Sequence, residues 1–213
     1  MSTPTLYAII DPSYVANHRQ AAGVTRDVVR GGATVVQLRD KTSSTRKLLA
    51  LARDVREICT ANGATFIVND RLDVALACGA DGVHLGPDDL PVEEARKIAA
   101  GEFIIGASAG TPKRALELAA QGADYLGVGA IFDARESKPD ASEARGPEAI
   151  KAVVNAVDIP VVAIGGITPS NALDVIAQGA SGVAVIRALM RAEDAASAAR
   201  RFMARLKDSA PIR

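Results

Sequence analysis

The stretch Gly32-Ala33-Thr34-Val35-Val36-Gln37-Leu38 couples a glycine that can end a helix to a short apolar run, and the chain uses this junction repeatedly. Gly-Ala pairs recur at Gly63-Ala64, Gly79-Ala80, Gly122-Ala123 and Gly179-Ala180, ahead of the apolar runs Phe66–Val68, Gly82–Leu85, Tyr125–Val128 and Gly182–Ile186. Each pair follows a stretch with helical periodicity. A glycine in the left-handed conformation closes the helix, and the chain then enters a buried strand. Repeated helix-to-strand junctions of this kind imply a parallel sheet.

Eight apolar runs are candidates for strands: Leu6–Ile10, Val35–Leu38, Phe66–Val68, Gly82–Leu85, Phe103–Gly106, Tyr125–Ile131, Val161–Ile164 and Gly182–Ile186. Helical patterns lie between them. Ser43–Asn62 spaces Leu48, Ala52, Val55 and Ile58 along one face, and Pro91–Ala100, Pro112–Gln121 and Pro169–Gln178 each open on a proline suited to a first helical turn. The last helix is expected over Ala192–Leu206. Alternating strands and helices in 213 residues, with no linker or low-complexity segment, point to an α/β chain folded as a single (βα)8 barrel of parallel strands. The doubly wound open sheet is the competing architecture. It calls for a glycine-rich phosphate loop after the first strand, where this chain has Asp11-Pro12-Ser13-Tyr14. Residues 1–213 therefore read as one TIM-barrel domain, with a frayed tail after 207.

Composition narrows the function classes. Hydrophobic residues make up 48% of the chain and aromatics only 3%, so the core is built of small branched residues that suit buried parallel strands. Lys plus Arg and Asp plus Glu each total 25, giving zero formal net charge and no electrostatic footprint for nucleic acid or an anionic membrane. No apolar run is long enough to span a bilayer, and Met1–Tyr7 lacks a signal-peptide pattern. Cys59 and Cys78 have no metal-type spacing and read as buried free thiols. A cytoplasmic enzyme acting on small molecules is the expectation, with self-association into a homo-oligomer left open.

The active site of such a barrel lies at the C-terminal ends of its strands. Strand two leaves as Gln37-Leu38-Arg39-Asp40-Lys41; alternation puts Gln37, Arg39 and Lys41 on one face, an anion site or a solvated basic edge. Strand three leaves as Asn69-Asp70-Arg71 and strand four as His84-Leu85-Gly86-Pro87-Asp88-Asp89. Their carboxylates are either ligands for one hard cation or caps of the helices that follow. Strand five ends at Ser108. Strand six opens into the polar loop 133–145 with Ser137-Lys138, which is long enough to close over a phosphorylated ligand. Gly165-Gly166 after strand seven and Ile186-Arg187 after strand eight fall where these barrels bind phosphate. His18 reads as a surface residue and His84 as a hydrogen-bonded core histidine, and no Ser/His/Asp or Cys/His arrangement is present.

Taken in order, these strand exits resemble the thiamine phosphate synthase family over Tyr7–Leu189. The motifs are Thr34–Lys41, Asn69-Asp70-Arg71, Asp81–Gly86 with Asp88-Asp89, Gly106-Ala107-Ser108, Gly127-Val128-Gly129 and Gly165–Thr168 with Asn171. The resemblance implies condensation of hydroxymethylpyrimidine pyrophosphate with thiazole phosphate, giving thiamine phosphate and pyrophosphate by a dissociative route assisted by Mg2+. It implies Asp70 and Asp89 as metal ligands. Gln37, Arg39, Lys41, Asn69, Ser137 and Lys138 are implied for the pyrimidine and its pyrophosphate. Gly166, Ile186 and Arg187 are implied for the thiazole phosphate, and Ser108, Lys138 and Arg39 around the reacting centre. A leaving pyrophosphate needs cations to absorb its charge rather than a protein nucleophile, so the missing triad fits.

The chain departs from the family pattern at Pro87, Gly110, Ala130, Arg135 and Arg187. The competing readings are a thiazole tautomerase, which places a histidine where this chain has Gly110, and a re-specialised or non-catalytic barrel that only binds a phosphorylated ligand. A phosphosugar isomerase would need a catalytic Glu or His at a strand end, and no convincing candidate stands there.

Overall fold

The computed structural model describes residues 4–99, 101–133 and 143–209. Its strands are β1 (Thr5–Ile10), β2 (Val35–Leu38), β3 (Thr65–Asn69), β4 (Gly82–Leu85), β5 (Ile104–Ser108), β6 (Tyr125–Val128), β7 (Val161–Ile164) and β8 (Gly182–Val185). The helices are α1 (His18–Arg30), α2 (Thr45–Asn62), α3 (Leu72–Cys78), α4 (Val92–Ile98), α5 (Pro112–Ala120), α6 (Glu148–Val154), α7 (Ala172–Ile176), α8 (Arg187–Met190) and α9 (Ala195–Lys207). The strands form a closed barrel in sequence order. All pairs are parallel, and β1 meets β8 with Thr5 opposite Gly182 and Tyr7 opposite Ala184. This is a (βα)8 TIM barrel.

Two of the five Gly-Ala junctions close as expected; at the other three the helix is capped earlier, by Gly31, Gln121 and Ala177 in the right-handed region, and Gly32, Gly122 and Gly179 follow at φ 105, 97 and 96. Gly63 and Gly79 end α2 and α3 in the left-handed conformation, and each cap N–H reaches back to carbonyls of its own helix, Cys59 and Ala75 among them. Helix starts are also built locally. The Asn17 side chain accepts from Gln20 N at 3.0 Å, and Thr111 accepts from Arg114 N at 3.2 Å just before Pro112. Four expected starts move inward: α2 begins at Thr45 and α9 at Ala195, Pro91 is the cap before α4, and Pro169 precedes α7 by a turn. The Asn171 side chain ties the loop after β7, while its carbonyl accepts from Asp174 N at the start of α7.

Alternation along the strands divides the apolar side chains into two layers. One set, including Leu6, Ala8, Val36, Leu38, Phe66, Val83, Leu126 and Val183, packs outward against the helices. A smaller set, Tyr7, Ile9, Ile67, Val162 and Ala184, fills the barrel interior. Phe66 and Phe202 are the bulkiest fully buried side chains, each worth roughly 1.5–3 kcal/mol of burial. Cys59 is buried in the outer layer and Cys78 is half-buried. Among the described residues no helix is long and apolar enough to cross a membrane.

Candidate functional site

The C-terminal rim carries a cluster of alternating charge. Arg39 leaves β2 and its Nη1 donates to Asp11 Oδ2 at 2.6 Å. Asp11 is 5% exposed, and its other oxygen accepts from Ser13 N at 3.0 Å and Ser13 Oγ at 2.7 Å. Lys41 swings across to β3, where its Nζ lies 2.5 Å from Asp70 Oδ2. Arg39 and Lys41 thus fan out along the rim to different partners. Asp40, between them, holds the following turn: its Oδ1 accepts from Thr42 N at 3.0 Å and Ser43 N at 2.9 Å. Burial pushes the Asp40 carboxyl up, but these hydrogen bonds prevail and hold it below its ordinary range.

Asp70 is the one non-glycine residue with positive φ among the described residues, at φ 63. Its N–H donates to His84 O at 2.8 Å, so the β3–β4 ladder continues past Asn69 while the chain turns. That turn aims the Asp70 side chain at Lys41 instead of capping α3, whose cap position is Arg71. Arg71 itself forks onto Asp73 at 2.6 and 2.8 Å, away from the cluster. Asp89 does not cap α4 either. Its Oδ2 accepts from Gly86 N at 2.7 Å, folding the β4 exit back on itself. Burial raises the Asp89 carboxyl above its ordinary range, and the adjacent Asp70 raises it further by hydrogen bonding and charge. Two acidic oxygens therefore face each other with Lys41 alongside. Among the described residues no group of three or more metal-type side chains forms.

Beneath the rim, polar side chains bridge the barrel interior. Gln37 is 3% exposed and its Nε2 donates to Tyr7 Oη at 2.8 Å. Tyr7 Oη meets Tyr125 Oη at 2.7 Å, and Tyr125 Oη meets His84 Nδ1 at 3.0 Å. His84 Nε2 meets Ser108 Oγ at 3.0 Å, at the last residue of β5. The interior has room for these rings because neighbouring strands carry glycine. A Cβ on Gly106 would stand 2.0 Å from the Tyr125 ring, and one on Gly127 would stand 3.1 Å from His84 Cε1. Desolvation pushes the His84 imidazole down to about 4, against the opposing charge of Asp70, so the ring is neutral at physiological pH. Burial pushes both phenols up, so both keep their hydrogens.

On the opposite side, Gly165 and Gly166 leave β7 with φ 102 and 63. A Cβ on Gly166 would lie 2.7 Å from Asp133 O and from Phe132 Cβ, so this backbone is pressed against the exit of β6. Asn171 secures the loop: its Oδ1 accepts from Thr168 N at 2.8 Å, and its Nδ2 donates to Gly166 O at 3.0 Å. Ile186 and half-buried Arg187 open α8 after β8. Ser137 and Lys138 lie outside the described residues. Beyond them the chain returns at Arg145, whose backbone N–H donates to Ala130 O at 3.0 Å and whose guanidinium donates to Gly110 O.

The structure thus gathers Arg39, Lys41, Asn69, Asp70 and Asp89 at adjacent strand ends, and places Gln37 and Ser108 at opposite ends of the interior polar chain. Asp11, Tyr7 and Tyr125 are members of the site that the strand exits after β1 did not reveal. Asp11 leaves β1 at the same level as Arg39 leaves β2, and the same exit rule applied to β1 finds it. Tyr7 and Tyr125 share the inward alternation of Gln37 and His84.

The thiamine monophosphate synthase family profile matches residues 6–189. A thiamine-phosphate synthase of Moorella thermoacetica is 50% identical over 197 residues, 92% of this chain and 93% of that protein. One from Methanoculleus marisnigri is 50% identical over 201 residues, covering 94% of each. The solved thiamine phosphate pyrophosphorylase from Pyrococcus furiosus superposes with a TM-score of 0.88 at 40% identity, covering 97% of this chain and 96% of that one. A 3-hexulose-6-phosphate synthase at 18% identity and TM-score 0.72 shares the fold alone. With the profile spanning most of the barrel and these relatives aligned end to end, the chain belongs to the thiamine monophosphate synthase family.

Proposed function

We propose that this chain, as a transferase of that family, condenses hydroxymethylpyrimidine pyrophosphate with thiazole phosphate to give thiamine phosphate and pyrophosphate. The observation that carries the reading is the rim cluster, in which Asp70 and Asp89 converge beside Lys41 while Arg39 stands on Asp11. Mere retention of a phosphate would need the cations. It would not need two carboxylates held against each other at an energetic cost.

That cost is also the test of fit for Mg2+. The donors are hard oxygens; burial first, and the neighbouring Asp70 second, raise the Asp89 carboxyl, and a bound divalent cation would favour the charged form of both. A pair of carboxylates, completed by substrate phosphate and water, is the usual protein share of a Mg2+ site. Asp70 and Asp89 would hold the ion, which supplies positive charge to the leaving pyrophosphate.

The protein side chains do the rest. Arg39 offers a planar fork to phosphate oxygens, and Asp11 fixes its orientation in advance. Lys41 adds a mobile point charge; its side chain is 53% exposed and can turn from Asp70 to an arriving pyrophosphate. Gln37 and Ser108 contact the pyrimidine. The bond from the methylene carbon to the pyrophosphate oxygen breaks, and its electron pair leaves on oxygen. The thiazole nitrogen then forms the new C–N bond to that carbon. No proton moves in this exchange, which suits a neutral His84 whose two nitrogens are already engaged by Tyr125 and Ser108. The backbone of Gly166, with Ile186 and Arg187, receives the thiazole phosphate; Ser137 and Lys138, outside the described residues, are assigned to the pyrophosphate by the family resemblance alone. A tautomerase would want a histidine at position 110, where the Arg145 guanidinium stands 3.1 Å from a Cβ built on Gly110.

The test is pyrophosphate release by the purified protein with both substrates, in Mg2+ and in EDTA. Release that requires both substrates and the metal, with thiamine phosphate as product, is expected. Absence of release under conditions where a known synthase works would overturn the reading.

A further inference from the structure

The polar chain under the rim has a direction. Gln37 donates Nε2–H to Tyr7 Oη, so the single hydrogen of Tyr7 has Tyr125 Oη as its acceptor. Tyr125, having accepted, sends its own hydrogen to His84 Nδ1. A neutral imidazole that accepts at Nδ1 carries its hydrogen on Nε2, and that N–H points at Ser108 Oγ. Ser108 Oγ therefore receives a hydrogen bond from inside, and no other partner for its hydroxyl is found among the described residues. Its own O–H is left for a ligand. At the far end one N–H of the Gln37 amide is held by Tyr7, and that orientation presents Oε1 as the acceptor. Reversing the chain would require the Gln37 amide to turn so that Oε1 accepts from Tyr7, which would leave Gln37 a donor and Ser108 an acceptor toward the substrate.

We propose that Tyr7, Tyr125 and His84 form a cross-barrel hydrogen-bond relay that couples Gln37 to Ser108, fixing Gln37 as acceptor and Ser108 as donor toward the substrate. The three are positioning residues, acting through the groups at the two ends. An aminopyrimidine offers the complement, an amino donor beside ring-nitrogen acceptors, so the relay selects the heterocycle while the rim cluster handles its pyrophosphate. Naming that ligand rests on the synthase reading; the wiring itself does not. A hydroxypyrimidine, with an acceptor in place of the amino donor, mismatches the Gln37 end.

The protein has only two histidines, which makes the wiring directly readable. The full chain is labelled with 15N-histidine, and the His18 signals are removed with His18→Gln. In the ligand-free protein His84 is expected to be neutral, with a pyrrole-like Nε2 and a pyridine-like Nδ1. The opposite tautomer overturns the proposed direction. Tyr7→Phe does not touch His84, yet removing its hydroxyl releases the direction of the relay, so the two nitrogen signals should move toward each other. Unchanged signals in that variant refute the coupling. The kinetic counterpart is a KM for the pyrimidine pyrophosphate raised ~10-fold in Tyr7→Phe, the loss of one well-oriented hydrogen bond, with the KM for thiazole phosphate within about twofold. Equal changes in both constants refute the relay as a specificity device. If the wild-type protein releases no pyrophosphate, the synthase reading fails and the tautomer measurement alone decides the relay.

Discussion

Asp11 is the residue whose removal separates positioning from binding in this site. Its side chain is 8% exposed and that of Arg39 is 21% exposed. Breaking a fully buried pair costs about 3–5 kcal/mol because the remaining charge is stranded. Arg39 keeps a fifth of its surface in water, so roughly 2 kcal/mol is the better figure here. Asp11 also caps the short 3-10 turn Pro12–Tyr14 through Ser13 N, and losing such a cap costs about 1 kcal/mol. Asp11→Ala should therefore lower the urea-unfolding free energy by ~3 kcal/mol, and Asp11→Asn, which keeps an acceptor for Ser13, by ~2 kcal/mol. Both variants lose the ion pair that aims the Arg39 fork. A misaimed charge-assisted phosphate contact is worth about 1.5–3 kcal/mol, so the KM for the pyrophosphate substrate should rise ~10–100-fold in both. The assay is steady-state pyrophosphate release beside equilibrium urea unfolding. A pyrophosphate-substrate KM within twofold of wild type in Asp11→Asn would refute the assignment of Asp11 as the residue that positions Arg39.

Three further outcomes are expected. Asp70→Asn is the fitting probe of the metal pair, because asparagine tolerates the left-handed φ of 63 where alanine would be strained; Mg2+-dependent turnover should fall at least ~100-fold with the circular dichroism spectrum unchanged, and undiminished turnover would remove Asp70 from the site. Gly166→Ala places a Cβ 2.7 Å from Asp133 O at φ 63, so the β7 loop must shift; the KM for thiazole phosphate should rise more than that for the pyrimidine, and the reverse order would mean the two subsites are exchanged. Burial pushes the Cys59 thiol up to about 12, with Asp81 adding and Arg56 opposing. At pH 8 only ~10⁻⁴ of it is thiolate, so iodoacetamide should leave Cys59 unmodified in the native protein and label it after unfolding.

The barrel was legible because its signals are local and redundant. A helix-ending glycine followed by a β-branched run needs no distant partner to be recognised, and the junctions at Gly63 and Gly79 carry the conformation that the pattern requires. The strand-exit rule then offered Gln37, Arg39, Lys41, the exits Asn69-Asp70-Arg71 and Asp88-Asp89, and Ser108 as candidates, and the family resemblance chose among the carboxylates. What the pattern left open was whether Asp70 and Asp89 cap helices or face each other. A cap and a rim carboxylate can occupy the same place in sequence, and one backbone angle at Asp70 and one hydrogen bond at Gly86 turn both side chains away from their helices. The proline rule misplaced the starts of α4 and α7 for a related reason. A proline fits a first turn but equally fits the extended residue before it, as Pro91 does at φ -55 and ψ 141.

The interior polar chain was hidden by the rule that made the barrel readable. Parallel strands are recognised by continuous apolar runs, and within such runs Tyr7, Gln37, His84 and Tyr125 look like interruptions. Their common feature is register. Tyr7 stands beside Val35 on β2, two residues before Gln37, and Tyr125 stands beside Gly106, which is itself paired with His84. A glycine at 106 makes no sense as a strand residue by propensity, since it weakens the strand and packs nothing. It makes sense once the Tyr125 ring is seen lying where its Cβ would be. The glycine and the tyrosine are one feature distributed over two strands: β5 gives up a side chain so that β6 can send a hydroxyl to His84. Filling position 106 with alanine would therefore do more than crowd the core. It would break the path between Gln37 and Ser108 while leaving both residues and the rim carboxylates in place.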